Sequence, residues 1–180
     1  MRLLGAILAG GMARRFGSDK ALAEIDGVAM LDLVARHLAA ECAAVVVIGR
    51  DWPGLARIED APRPGLGPLG GVAGALAHAA LAGFDAVLTS GCDLPALPDG
   101  LAALLSPADA VLRGQPTIGL WRTRHAAPLA AWLEETEDRS IRAWADRIGA
   151  RRVAYAGEIA NVNTPADLEA FRRADPRSSR

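Results

Sequence analysis

The chain has 180 residues, 51% of them hydrophobic and 23% charged, the balance of one globular domain rather than of a disordered or fibrous polypeptide. A net charge of −1 excludes a global field drawing it onto nucleic acid or an anionic membrane, so a polyanionic ligand must be met by a local cluster of donors. The two cysteines, Cys42 and Cys92, form neither a CxxC nor a metal spacing with the three histidines, and read as small apolar fillers in a reducing cytoplasm.

Arg2 followed by Leu3–Ala9 imitates a short export signal, but glycines and Arg14-Arg15 follow without a cleavage context. Leu3–Leu8 is therefore predicted as a buried strand entering a turn at Gly10-Gly11. Met30, Leu31, Val34, Ala35 and Leu38 give Met30–Ala40 the spacing of an amphipathic helix, and the β-branched run Ala43–Ile48 predicts a second strand. Arg50–Gly67 is turn-rich. Residues 65–84 carry no formal charge, yet six glycines, Pro68 and His78 favour a glycine-rich loop opening a helix, Pro68–Leu81, over a membrane span. Phe84–Ser90 is predicted as the third strand, ending just before Cys92-Asp93-Leu94-Pro95. Further strands are expected at Ala108–Arg113, Thr117–Trp121 and Ala150–Tyr155, and helices at Pro98–Leu105, His125–Glu135, Ser140–Ile148 and Pro165–Arg173. Strands alternating with helices predict a single α/β domain over residues 1–174, a Rossmann-like three-layer sandwich on a mostly parallel mixed sheet. Residues 175–180 are expected to be a flexible tail.

On such a sheet ligands bind beyond the carboxyl ends of the strands. Three groups of residues are expected there: Gly10–Lys20, Asp60–Gly71 and Asp93. Gly10 and Gly11 would let backbone N–H groups approach phosphate oxygens, with Arg15 and Lys20 adding positive charge from the same turn. Lys20 is the only lysine among 20 basic residues. Asp93, at a strand's carboxyl end, is well placed to hold Mg²⁺ between triphosphate oxygens, the alternative being a cap on the Pro95–Pro98 turn. Gly67-Pro68-Leu69-Gly70-Gly71 opens a helix with small residues that admit a nucleobase or phosphate close to the backbone. In Asn161-Val162-Asn163-Thr164-Pro165-Ala166-Asp167, Thr164 and Asp167 predict a capping box, which leaves the two asparagines unexplained. His37, His78 and His125 are expected to be structural.

Leu8, Ala9, Gly10, Gly11, Arg15, Gly17 and Lys20 resemble the L-A-G-G-x-S-x-R-[MF]-G-x-x-K signature of nucleotidyltransferases that activate sugars, isoprenoid precursors and the molybdenum cofactor. Ala13 stands where that pattern has serine. Glu59-Asp60, G-P-L-x-G at Gly67, C-D-x-P at Cys92, Gln115-Pro116-Thr117-Ile118-Gly119-Leu120 (glutamine where the family has histidine) and N-x-N-T-P-x-D-L at Asn161 follow in the family's order. Together they resemble molybdenum cofactor guanylyltransferases.

The resemblance implies transfer of GMP from GTP to the terminal phosphate of molybdopterin, with release of pyrophosphate. It implies Lys20, Arg15 and Asp93 as catalytic residues and Mg²⁺ on Asp93. It implies nucleotide contacts from Leu8, Ala9, Gly10, Gly11, Lys20, Asp60, Gly67, Pro68, Leu69, Gly70 and Asp93, and substrate or metal contacts from Asn161 and Asn163. Apo-molybdoenzymes or other cofactor-biosynthesis proteins are the implied protein partners, with no nucleic acid and no membrane. Cytidylyl transfer to the same cofactor, nucleotidyl transfer to a sugar phosphate, and a non-catalytic nucleotide- or pterin-binding protein are the alternatives.

Overall fold

The computed structural model describes residues 1–10 and 20–174, the side chains of Lys20 and Ala174 excepted. The strands are β1 (Leu3–Leu8), β2 (Glu24–Ile25), β3 (Val28–Ala29), β4 (Ala44–Ile48), β5 (Ala56–Ile58), β6 (Ala86–Gly91), β7 (Ala110–Leu112), β8 (Gln115–Arg122) and β9 (Arg151–Val153). The helices are α1 (Met30–Glu41), α2 (Gly67–Leu81), α3 (Leu101–Leu104), α4 (Ala126–Glu135), α5 (Ile141–Arg147) and α6 (Pro165–Ala174), with 3-10 turns at Lys20–Leu22 and Thr123–His125.

Seven strands form one sheet in the order β5-β4-β1-β6-β8-β7-β9. β8 alone runs against its neighbours β6 and β7, and every other pair is parallel. The central strands β1 and β6 are near-continuous apolar runs because helices cover both of their faces. Leu4, Ala6 and Val87 pack with α2, α4 and α5 on one side. Leu3, Ile7 and Leu88 pack with α1 and α3 on the other, which gives the three layers. A third, smaller cluster joins Ile25 of β2, Met30 of α1, Leu168 of α6 and Val162.

The predicted elements are present with three differences. The turn-rich stretch 50–67 contains β5, a three-residue edge strand whose Ala56 and Arg57 are exposed and so carry no apolar signature. The helix expected over Pro98–Leu105 is one turn, because Pro98 precedes it and Gly100, at φ +72°, sets its start only at Leu101. The β2–β3 ribbon, turned by Asp26-Gly27 at positive φ, was not expected at all.

α2 spans 15 residues, and no helix among the described residues is long and apolar enough to cross a membrane. Burial, helped by the neighbouring Glu41 charge, pushes the Cys42 thiol up to about 12, so it stays protonated and unreactive, as expected of a filler. His125 places Nε2 3.0 Å from Asp109 Oδ1 and meets the Trp144 ring edge-on. That contact lies where β7 begins and β8 ends, at the end of the sheet opposite the candidate site. The tail 175–180 lies outside the described residues.

Candidate active site

The carboxyl ends of four adjacent strands form one rim. Cys92 N donates to Leu8 O (3.3 Å), Ala9 N to Ile48 O (3.3 Å) and Gly49 N to Ile58 O (2.9 Å), tying together the ends of β6, β1, β4 and β5. Leu8 and Ala9 end the central strand and Gly10 emerges exposed. Gly49, at φ +78°, sits against it: a Cβ there would lie 2.8 Å from the Gly10 Cα, so only glycine permits this approach. Gly11 and Arg15 lie outside the described residues. Lys20 opens the 3-10 turn Lys20–Leu22, with Ala21 buried among the residues of the α1 face, while the Lys20 side chain is not described.

Asp93 lies two residues beyond β6 and is half-buried. Its carboxylate folds back into the space left by the missing side chain of Gly91, where an added Cβ would overlap Asp93 Oδ1 and lie 3.6 Å from Thr117 Oγ1. The β6–β8 register, Thr89 opposite Gly119, carries on to set Gly91 opposite Thr117, which explains why that hydroxyl borders the same notch. Val162 N donates to Asp93 O (2.9 Å). Val162 is itself buried in the third cluster, so this apolar peg fixes both flanking asparagines beside Asp93.

Asn163 is exposed, and Asn161 has a solvent-shielded Oδ1 without a hydrogen-bond partner. A buried acceptor ordinarily has a partner in protein, water or ligand. The predicted capping box forms as well: Asp167 N donates to Thr164 Oγ1 (3.1 Å), and Thr164 N and Asn163 N donate to Asp167 Oδ2 (2.8 and 2.9 Å). Among the described residues no three His, Cys, Asp or Glu side chains form a metal cage. A single carboxylate at a strand's carboxyl end nevertheless fits Mg²⁺, which is commonly completed by water and phosphate oxygens.

Asp60 follows β5 and packs on the first turns of α2. Cβ atoms added at Gly70 and Gly71 would stand 3.4 Å from its Cγ and 3.7 Å from its Oδ1. Gly71 also adjoins Leu8 and Ile48, so Asp60, α2 and the end of β1 converge. Ala61 N donates to Gly70 O (3.1 Å), and at Gly74 the Glu59 carbonyl presses against the helix where any Cβ would collide with it. Gly70, Gly71 and Gly74 thus form a seam along which the 59–61 backbone passes in contact.

Burial raises the Asp60 pKa and the Glu59 charge adds to this, while hydrogen bonds from the Gly65 (3.3 Å) and Leu66 backbones oppose it. Gly67 and Pro68 are exposed at the start of α2, whereas the Leu69 side chain is fully buried in the core, so any contact from Leu69 to a ligand is through its backbone.

The structure therefore joins Asp93 with Asn161 and Asn163, and joins Asp60 with Gly70 and the end of β1. Sequence reasoning missed Gly49, Gly74, Gly91 and Thr117. Gly91 was visible beside Cys92-Asp93, and Gly74 stands one helical turn after Gly70, but nothing in a single sequence says which glycines receive a neighbour.

A family model described as a MobA-like NTP transferase domain matches residues 5–152. A molybdenum cofactor guanylyltransferase of Cereibacter sphaeroides is 38% identical over 93% of this chain and 94% of its own. One of Acidiphilium cryptum is 35% identical over 93% of each chain. The crystal structure of molybdopterin-guanine dinucleotide biosynthesis protein A from Archaeoglobus fulgidus superposes with a TM-score of 0.72 at 21% identity, covering 93% of this chain and 95% of that one.

Proposed function

The chain belongs to the MobA-like NTP transferase family, and on that premise we propose that it transfers GMP from GTP to the terminal phosphate of molybdopterin, releasing pyrophosphate. The observation that carries this reading is the bond from Val162 N to Asp93 O, which brings the C-D-x-P and N-x-N segments to the rim where Gly10 ends the first strand's extension.

The reaction is attack by an acceptor phosphate oxygen on the α-phosphorus, with the bond to the β-phosphate bridge breaking. The acceptor is already ionised, so no protein nucleophile is required. The chain's task is positioning and charge neutralisation. Backbone N–H groups of Gly10 and Gly11, with Arg15 and Lys20, are assigned to the phosphate chain. Asp93, with water and phosphate oxygens, would hold Mg²⁺, which would supply charge neutralisation and orientation of the triphosphate. Asn161 and Asn163 are assigned to that ion or to the acceptor.

Asp60 is assigned to the base. Guanine offers N1–H and its 2-amino group as adjacent donors, and a half-buried carboxylate beside the start of α2 suits that pair. Cytosine has no such pair, and adenine presents an acceptor at N1.

Calorimetric titration of GTP and of inorganic triphosphate into the wild-type protein and Asp60→Ala tests the assignment. GTP should lose affinity and triphosphate should not. Because burial raises the Asp60 pKa, wild-type GTP affinity should also fall as pH is lowered through that raised value, where the carboxyl group takes up a proton and ceases to accept. Equal losses for both ligands, or CTP binding more tightly than GTP, would give cytidylyl transfer the better claim.

A further inference from the structure

We infer that Tyr155 is the platform on which the pterin of the acceptor stacks; this rests on the reading that the acceptor is molybdopterin and that its phosphate lies beside Asn161 and Asn163. β9 is parallel to β7, β7 antiparallel to β8 and β8 antiparallel to β6, so β9 ends on the same rim as β6. Asp93 stands two residues beyond β6, and Tyr155 stands two residues beyond β9. In the order β6-β8-β7-β9 three strand spacings separate them, roughly 14 Å along the rim.

The chain leaving Tyr155 returns past the ends of β7 and β8, and Val162 N closes that path against Asp93 O (2.9 Å). A single connection therefore carries an aromatic ring near its start and both asparagines near its end. In the other direction along the rim lie β1, β4 and β5, with Gly10 and Asp60, which are assigned to the nucleotide. An acceptor whose phosphate sits at the asparagines thus extends over β8 and β7, and its flat, fused-ring end arrives at β9. Tyr155 is 40% exposed there. A Cβ at Gly157 would lie 2.5 Å from Tyr155 Cε1 and 2.7 Å from its Oη, so the glycine admits the ring and any side chain would displace it. Ile159, two residues on, packs against the α1 side of the core and anchors the connection. A tyrosine held in this way offers a π-face to a heterocycle and has only two side-chain torsions to fix on binding.

Pyrophosphate release is followed for the wild type, Tyr155→Ala and Tyr155→Phe, with thermal midpoints measured alongside. Tyr155→Ala should raise KM for molybdopterin at least about tenfold, the size of a lost base–aromatic stack, and leave KM for GTP unchanged. Tyr155→Phe keeps the ring and should stay near the wild type. Because Tyr155 is the single tyrosine of the chain, incorporation of 3-fluorotyrosine gives one fluorine resonance. That resonance should shift when molybdopterin is added and stay in place with GTP alone. A wild-type KM for molybdopterin in Tyr155→Ala, or a resonance that molybdopterin leaves unmoved while supporting turnover, overturns the role of Tyr155 and leaves guanylyl transfer standing. A resonance that shifts in a wild type releasing no pyrophosphate upholds the platform and contradicts the transfer. Neither a shift nor pyrophosphate release in the wild type overturns both.

Discussion

At the scale of single residues the site depends on side chains that are absent as much as on those present. Asp93 occupies the volume a side chain at Gly91 would need, and Gly91→Ala puts a Cβ onto Asp93 Oδ1. The carboxylate is short and can rotate aside, so the fold should keep its thermal midpoint while the carboxylate leaves its position. Displacements of about 1 Å at a reacting centre can cost roughly 10²-fold in rate. Gly91→Ala is expected to lose turnover on that scale at near-wild-type stability. Wild-type turnover in Gly91→Ala would mean that the observed placement of Asp93 is not the working one. Asp93 was singled out in the sequence as an acid in a short motif just after a predicted strand, and Asp60 through the resemblance of Glu59-Asp60 to the family's E-D. Thr117 was not: its hydroxyl enters the site through a cross-strand partnership with Gly91 that only the register of β8 against β6 creates.

At the scale of elements, α2 shows how a helix can be selected against its own propensity. Three glycines at positions 70, 71 and 74 cost helix stability, about 1 kcal/mol each relative to alanine. What they permit is backbone contact with residues 59–61, which sets Asp60 against the helix. Gly74→Ala should therefore destabilise the protein although alanine is the better helix former. The added Cβ meets the Glu59 carbonyl, backbone that cannot swing away, and overpacking of this kind typically costs about 1–3 kcal/mol. Denaturant unfolding of Gly74→Ala should show a net loss. A gain near the propensity difference would show that the seam has room to spare. The same comparison explains what the sequence concealed. α1 and α2 were legible from an apolar stripe and a proline at the first turn, whereas β5 and the β2–β3 ribbon have two or three residues, partly exposed, with no stretch long enough for a period to show.

At the scale of the whole molecule, the order of the strands turns scattered motifs into one rim. β1, β4 and β6 lie side by side and parallel, so Gly10, Gly49 and Asp93 emerge at the same end, and β5 adds Asp60. Antiparallel β8 contributes its beginning rather than its end, which is how Thr117 arrives there. This much follows from an alternating α/β pattern and the carboxyl-end rule, and it is why the position of the site was legible before its geometry was. The central claim is guanylyl transfer, and its most direct measurement is pyrophosphate release from the purified chain with molybdopterin, Mg²⁺ and each of GTP, CTP, ATP and UTP in turn. The account predicts release with GTP well above the other three, dependent on molybdopterin and abolished in Asp93→Asn. Release that is greatest with CTP, or none with any of the four, would contradict it.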